Sequence, residues 1–213
     1  MNLNRTFPLL FIISVLMSFS VRAELSIQIT QGIDNPIPIA VVPFSWEGSG
    51  VLDEDIGEIV TADLQQVGEF RALSPSNMLA LPREEREVYY RDWSVLAQDY
   101  LLVGKVQRSP GSELIQVQYE FFDINREIKL AGEVLTGTTS QLRDIGHEIS
   151  NVVFELVTGT RGAFTTQILY IVSEFVSPEV SYFRLEKADY DGRRAQVLLE
   201  SREPIMSPSW SPN

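Results

Sequence analysis

The stretch Leu114-Ile-Gln-Val-Gln-Tyr-Glu-Phe-Phe122 decides the fold of this 213-residue chain. Apolar residues alternate along it with glutamine and glutamate, which is the period of a β-strand that buries one face. The buried face is predicted to carry Ile115, Val117, Tyr119 and Phe121, and the opposite face Gln116, Gln118 and Glu120. A strand of this kind packs its apolar face against helices.

Two further strands and a long helix flank this stretch. The predicted strands are Tyr100–Val106 and Ile128–Leu135, and their turns are Ser109–Gly111 and Asp123–Arg126. The three strands are therefore predicted to form an antiparallel meander. Apolar residues spaced by three and four predict a helix over Thr138–Val157, and Gly159 supplies the glycine that commonly follows a helix.

The segment before the meander predicts the other half of an α/β domain. The predicted elements are a strand at Ile39–Phe44, a helix at Asp53–Gly68, a strand at Phe70–Leu73 and a short helix near Trp93–Gln98. Asp53, Glu54 and Asp55 crowd the first helical turn, where the helix dipole favours negative charge. We interpret them as capping residues rather than a metal site. Residues 36–160 are predicted to form one α/β domain, with a mixed sheet packed by two main helices.

Beyond Arg161 and Gly162 the pattern contains strands alone. The predicted strands are Gln167–Val172, Ser181–Lys187, Arg194–Leu199 and Pro204–Trp210, and Asp189-Tyr-Asp-Gly192 is a predicted hairpin turn. Four short strands are typical of one propeller blade, so residues 161–213 are predicted to be the first blade of a truncated all-β propeller. The end of the chain, Ser207–Asn213, fits the end of a blade and a polar tail equally well.

The N-terminus has the features of an export signal. Arg5 precedes the apolar run Leu9–Leu16, and Val21-Arg22-Ala23 ends on a small residue before a candidate cleavage site. The run is short for a transmembrane helix, so a cleaved leader over residues 1–23 is predicted ahead of a retained membrane anchor. Position 24 is Glu and the chain has no cysteine, so neither a lipid anchor at that position nor a disulfide is expected.

The chain is acidic, with 29 acidic and 17 basic residues and a formal charge of −12. Removal of the leader takes away Arg5 and Arg22 and no acidic residue, which lowers the charge from −12 to −14. A surplus of this sign repels phosphate backbones and anionic lipid headgroups. The charge argues against nucleic acid as a partner, and we expect no direct membrane insertion.

The segment after the leader, residues 24–35, has the pattern of a half-buried strand. Leu25, Ile27 and Ile29 alternate with polar residues, and Gly32 ends the run. Two interpretations stay open at this point. The segment is either an edge strand of the α/β domain, or a tethered strand that pairs with its own protein or with a partner's sheet.

The sequence offers little for catalysis or metal binding. It has no cysteine and no G-x-S-x-G turn for a nucleophile. Its one histidine, His147, lies off the apolar stripe of its helix and is predicted to be a solvent-exposed surface residue. A lone histidine with scattered carboxylates does not predict a metal site. We therefore expect no catalytic residues, no metal and no cofactor.

Several short motifs occur in a fixed order along the chain. They are Ile39-Ala-Val-Val-Pro-Phe44, Asp55-Ile-Gly57 with Ala62-Asp-Leu64, Val103-Gly104, Phe154-Glu-Leu156 with Thr158-Gly159, Gly162-Ala-Phe164, Asp189-Tyr-Asp-Gly192, and Met206-Ser-Pro208 through Trp210-Ser-Pro212. In this combination the chain resembles the TolB family of the Tol-Pal cell-envelope system, over essentially everything after residue 23. The resemblance implies an N-terminal α/β domain and a six-bladed propeller, most of which is missing from this sequence.

For function, the resemblance implies a non-catalytic periplasmic adaptor that links inner-membrane TolA to the outer-membrane lipoprotein Pal. It implies roles in outer-membrane integrity, constriction during cell division and bacteriocin import. The N-terminal segment is implied to bind the C-terminal domain of TolA, and the propeller to bind Pal mainly through blades absent here. The implied TolA-binding residues are Glu24, Leu25, Ile27, Ile29, Gly32, Ile33 and Asp34. The alternative, from another class, is a periplasmic propeller module that binds a peptide or a glycan.

Overall fold

A computed structural model describes residues 35–177 and 180–211. The predicted leader and residues 24–34 lie outside these ranges. The strands are β1 (Ile37–Val41), β2 (Ser45–Glu47), β3 (Phe70–Ala72), β4 (Tyr100–Arg108), β5 (Ile115–Asp123), β6 (Ile128–Gly137), β7 (Gln167–Ser177), β8 (Val180–Asp189) and β9 (Gln196–Ser201). The α-helices are α1 (Ile56–Gln66), α2 (Tyr90–Val95) and α3 (Leu142–Thr158), and short 3-10 helices lie at Pro75–Asn77, Glu85–Glu87 and Thr139–Gln141.

The first six strands form one mixed sheet, as predicted. The strand order is β3-β1-β4-β5-β6, and β2 also pairs with β4. β1 runs parallel to β3 and β4, whereas β4, β5 and β6 form the antiparallel meander. The alternation along β5 is confirmed, because its four alternate apolar residues are all buried. These residues are Ile115, Val117, Tyr119 and Phe121.

Helices α1 and α3 cover one face of this sheet and close the main core with it. α1 begins at Ile56 because Asp55 is its N-cap, and the Asp55 side chain accepts the backbone N–H of Glu58 at 3.1 Å. The predicted capping role is therefore confirmed for Asp55, whereas Asp53 and Glu54 precede the helix and do not lie in its first turn. After α1, Gly68 adopts a φ of +78°, a conformation that glycine takes without strain.

Residues 73–98 cover the opposite face, although their sequence pattern is weak. Trp93 of α2 is 1% exposed and lies in a second apolar cluster with Leu101, Val103 and Phe122. Ion pairs connect residues 73–98 to the sheet. In one of them Lys105 Nζ lies 3.0 Å from Glu84 Oε2. The predicted short helix near Trp93–Gln98 is present but begins earlier, at Tyr90.

The prediction of one strand over Ile39–Phe44 is wrong in its boundaries. The chain instead forms β1 and, after a break, β2. Val42 still donates its N–H to Leu102 at 2.9 Å, but Pro43 has no N–H to donate and the ladder stops there. Phe44 then crosses over Gly104 of β4, where any side chain would overlap its ring.

The rest of the described chain is an antiparallel sheet of three strands in the order β7-β8-β9. The all-β character of this part is confirmed, and so is the turn at Asp189–Gly192, where Gly192 has a φ of +81°. The predicted fourth strand at Pro204–Trp210 is wrong. This segment has no ladder because two of its residues are prolines, and Trp210 is 55% exposed.

None of the helices within residues 35–177 and 180–211 combines the length and hydropathy needed to cross a membrane.

Candidate functional site

The predicted TolA-binding residues, Glu24, Leu25, Ile27, Ile29, Gly32, Ile33 and Asp34, lie outside the described residues. The structure does describe where their segment joins the fold. From Asn35 the chain enters β1 at Ile37, whose N–H donates to the carbonyl of Glu69 at 2.8 Å. β1 is an interior strand of the sheet, between β3 and β4. The segment is therefore attached to an interior strand of the α/β fold.

A shallow cavity of about 350 Å3 adjoins this attachment point. It is lined by Ile37, Asp99, Tyr100, Asp123, Asn125, Arg126 and Val157. Burial raises the pKa of the Tyr100 hydroxyl, and the nearby Asp123 and Asp99 carboxylates raise it further, so the phenol stays neutral. Asn125 Nδ2 donates to Asp99 Oδ1 at 2.9 Å and fixes one wall. The cavity therefore presents polar side chains beside Ile37, the first residue of β1.

A second cluster of polar side chains is buried around Asp63 of α1. Asp63 is 1% exposed and accepts three hydrogen bonds. Ser150 Oγ donates to Asp63 Oδ2 at 2.6 Å, and His147 Nδ1 lies 2.8 Å from the same oxygen. Tyr190 donates its hydroxyl to Oδ1 at 2.8 Å. Because a carboxylate only accepts, His147 carries a proton on Nδ1.

This cluster corrects the prediction that His147 is a surface residue, since His147 is 2% exposed. α3 packs closely on α1 at Gly146, where a Cβ would lie 2.8 Å from Ile59 Cγ2. The close approach encloses the residues next to Gly146 as well as the apolar stripe. Sequence reasoning also missed Asp63 and Ser150. The available signal was that Asp63 lies three and four residues from Ile59, Val60 and Val67, on the inward side of α1.

Charged side chains surround this cluster where the helices meet the β7–β9 sheet. Arg143 of α3 pairs with Glu54 at 3.4 Å, with Asp189 at 3.6 Å and with Asp191. Arg194 donates to Asp189 Oδ2 at 2.6 Å and also to Asp144. Hydrogen bonds to Asp144 and then Asp189 raise the pKa of the Arg194 guanidinium. Burial, and then the bond to Asp63, raises the pKa of the Tyr190 hydroxyl.

Three residues of this region have the residue types of a metal site. Asp63, His147 and Asp191 each offer a ligand atom, and these atoms lie within 4.8 Å of one another. However, Asp63 already accepts three hydrogen bonds, and the Arg143 guanidinium forms an ion pair with Asp191. A divalent cation would have to displace this guanidinium and the hydrogen-bond donors of Asp63. The arrangement fits a hydrogen-bond network better than a metal centre.

The same cluster contains the residue types of a nucleophilic triad in an arrangement that does not suit catalysis. In such a triad the histidine lies between the serine and the aspartate. Here Asp63 lies between Ser150 and His147, and the Ser150 hydroxyl also lies 3.0 Å from the carbonyl of Gly146. Ser150 is fully buried and out of reach of a substrate. These residues hold elements together rather than perform acyl transfer.

The architecture defines a class of protein that joins an α/β domain to a propeller-type β-sheet. Residues 25–130 match the family model described as the TolB amino-terminal domain, and residues 154–213 match that of the TolB beta propeller domain. The two models together match well over half of the chain. The chain belongs to the TolB family.

Individual relatives agree with this assignment. A "Tol-Pal system protein TolB" from Hahella chejuensis is 43% identical over 203 residues, which cover 95% of this chain and 47% of the relative. A protein of the same name from a Marinomonas species is 44% identical over 193 residues, covering 90% and 44%. The crystal structure of TolB from Acinetobacter baumannii has a TM-score of 0.71 at 28% identity, covering 83% of this chain and 42% of that one. The chain spans about half the length of the curated relatives it matches.

Proposed function

We propose that this protein is a non-catalytic periplasmic adaptor of the Tol-Pal system, and that its N-terminal segment binds the C-terminal domain of TolA. Family membership supports the place of the protein in this system. The observation that carries the assignment to the segment is that a strand-patterned stretch leads directly into the interior strand β1. The leader predicted over residues 1–23 supports export to the periplasm.

The binding mode follows from the pattern of the segment. An extended segment that adds to the edge of a sheet gains affinity from backbone hydrogen bonds and register from alternate side chains. Leu25, Ile27 and Ile29 supply that alternate set. The remaining proposed contact residues are Glu24, Gly32, Ile33 and Asp34. The segment has about 12 residues, which span roughly 40 Å when fully extended.

The second proposed partner is the lipoprotein Pal, which would make the protein a link between TolA in the inner membrane and Pal in the outer membrane. We assign Pal binding mainly to the propeller part of the longer relatives rather than to strands β7 to β9. Such a link would support outer-membrane integrity and constriction during division. The buried position of Ser150 and the partners of Asp63 and Asp191 favour an adaptor over an enzyme.

A titration with the TolA C-terminal domain tests the proposal. Residues 24–213 are compared with residues 35–213, which lack the segment, and circular dichroism checks that the two are equally folded. We expect the full segment to bind and the shortened protein to lose all measurable binding. Equal binding by the two proteins would place the site elsewhere, and no binding by folded protein of either length would contradict the adaptor assignment.

A further inference from the structure

The α/β part and the β7–β9 sheet meet at a contact that we call the joint. On one side of the joint are α1 and α3. On the other side are the connecting residues 162–166 and the turn residues 189–194. Asn151 of α3 holds the connection, because its Oδ1 accepts the N–H of Phe164 at 3.0 Å and its Nδ2 donates to Thr165 Oγ1 at 3.1 Å. The joint is therefore a defined set of contacts rather than a loose linker.

Several side-chain hydrogen bonds and ion pairs cross the joint. Tyr190 reaches Asp63, Arg143 reaches Asp189 and Asp191, and Arg194 reaches Asp144. Ring contacts accompany them: Phe164, which packs in the main core, lies edge-on to Tyr190, with ring centroids 5.3 Å apart, and to Phe154, at 5.7 Å, and His147 lies edge-on to Tyr190 at 5.5 Å. Polar contacts between parts of one chain are typical of interfaces that open and close. Water can replace each of these hydrogen bonds when the two parts separate.

The two carboxylate oxygens of Asp63 have hydrogen-bond partners on opposite sides of the joint. Its Oδ2 is held by His147 and Ser150, which belong to the same α/β part. Its Oδ1 takes its hydrogen bond from Tyr190, on the opposite side. Among the described residues, no other side chain donates to Oδ1. When the joint opens, Oδ2 keeps both partners and only Oδ1 needs a new donor.

The geometry points to Asp63 as the docking point of a reversible joint, in which the Tyr190 hydroxyl is exchanged for water when the β7–β9 sheet moves away from α1 and α3. This inference concerns the relation of the two parts and does not depend on the identity of any partner protein. One backbone amide reports the opening. It belongs to Phe164, whose N–H donates to Asn151 Oδ1 across the joint at 3.0 Å.

Hydrogen exchange of the Phe164 amide tests the inference on residues 24–213. Tyr190→Phe removes one hydrogen bond to a carboxylate, so the open population and the exchange rate of this amide should rise about 10- to 100-fold. Tyr170→Phe is the matched control, because the Tyr170 hydroxyl donates to Glu186 at 2.9 Å within the same sheet and away from the joint. It should leave the exchange rate of the Phe164 amide unchanged. Amides of β4 and β5 should keep their protection in both Tyr190→Phe and Tyr170→Phe.

A second variant checks that the effect runs through Asp63. In an Asp63→Ala background the hydroxyl of Tyr190 has lost its acceptor, so adding Tyr190→Phe should change the exchange rate of the Phe164 amide less than about threefold. If Asp63→Ala does not fold, the comparison of Tyr190→Phe with Tyr170→Phe decides alone. An unchanged rate at the Phe164 amide in Tyr190→Phe would overturn the inference. Equal acceleration in β4 and β5 would also overturn it, because the loss would then be one of global stability.

Discussion

Replacement of Asp63 by alanine should destabilise the protein far more than replacement of an exposed aspartate. Asp63→Ala leaves the Tyr190 hydroxyl and His147 Nδ1 without their acceptor, whereas Ser150 keeps the carbonyl of Gly146 at 3.0 Å. A buried polar group that loses its partner costs about 1–3 kcal/mol. His147 is buried and Tyr190 is half-buried, so the expected loss is about 2–4 kcal/mol in the free energy of unfolding, a large part of the stability of a typical domain.

Urea denaturation followed by circular dichroism measures this loss from the transition midpoint and slope. Asp53→Ala is the matched control, because Asp53 is exposed just before the same helix, and its replacement should change the free energy by no more than about 0.5 kcal/mol. The reasoning would be refuted if Asp63→Ala cost less than about 1 kcal/mol, since the hydrogen bonds to Asp63 would then contribute nothing that water cannot replace.

Three further predictions concern the α/β part. Gly146→Ala should cost about 1–3 kcal/mol, seen as a lower thermal midpoint, because the new Cβ would lie 2.8 Å from Ile59 Cγ2; an unchanged midpoint would show that α1 and α3 can move apart freely. Asp55→Ala should cost about 1 kcal/mol in urea denaturation by removing the N-cap of α1, and Asp55→Asn should restore most of it; failure of the asparagine to do so would point away from capping. Burial raises the pKa of Tyr119 to about 12 from 10.0, so the folded state holds this proton more tightly than the unfolded state. The contribution of Tyr119 to stability is complete below pH 10 and falls between pH 10 and 12. Urea midpoints across this range should fall less in Tyr119→Phe than in the parent protein, and parallel curves would contradict the assignment.

The periodicity of hydropathy was sufficient to predict the strands and helices that bury one face. The alternation of Ile115, Val117, Tyr119 and Phe121 predicts β5, and the spacing of apolar residues over 138–157 predicts α3. These patterns distinguish strand from helix because the two have different hydropathy periods, and each of these elements is long enough to show its period several times. The ends of a strand were not predicted correctly where a proline interrupts the hydrogen-bond ladder, as Pro43 does between β1 and β2.

The polar interior could not be predicted in the same way. His147 lies off the apolar stripe of α3, so hydropathy alone predicts that it faces solvent. It is buried because Gly146 lets α1 approach α3 closely. The partners of His147 are distant in sequence, since Asp63 lies on another helix and Tyr190 lies beyond α3. Only the packing of α1, α3 and the turn at Asp189–Gly192 brings them together. The cover formed around Trp93 was missed for a related reason, since its contacts are irregular and follow no period.

The central claim is that the segment ahead of β1 binds TolA as an added strand. The most direct test replaces the residues of one face of this strand, and then those of the other face, in two separate variants. One variant replaces Leu25, Ile27 and Ile29 with serine, and its control replaces Ser26, Gln28 and Thr30 with alanine. Both are titrated against the TolA C-terminal domain.

Burial of three apolar side chains is worth more than about 3 kcal/mol, so the first variant should bind at least about 100-fold more weakly. The control should stay within a few-fold of the parent protein. Equal losses in the two variants, or no loss in the first, would contradict strand addition by this segment.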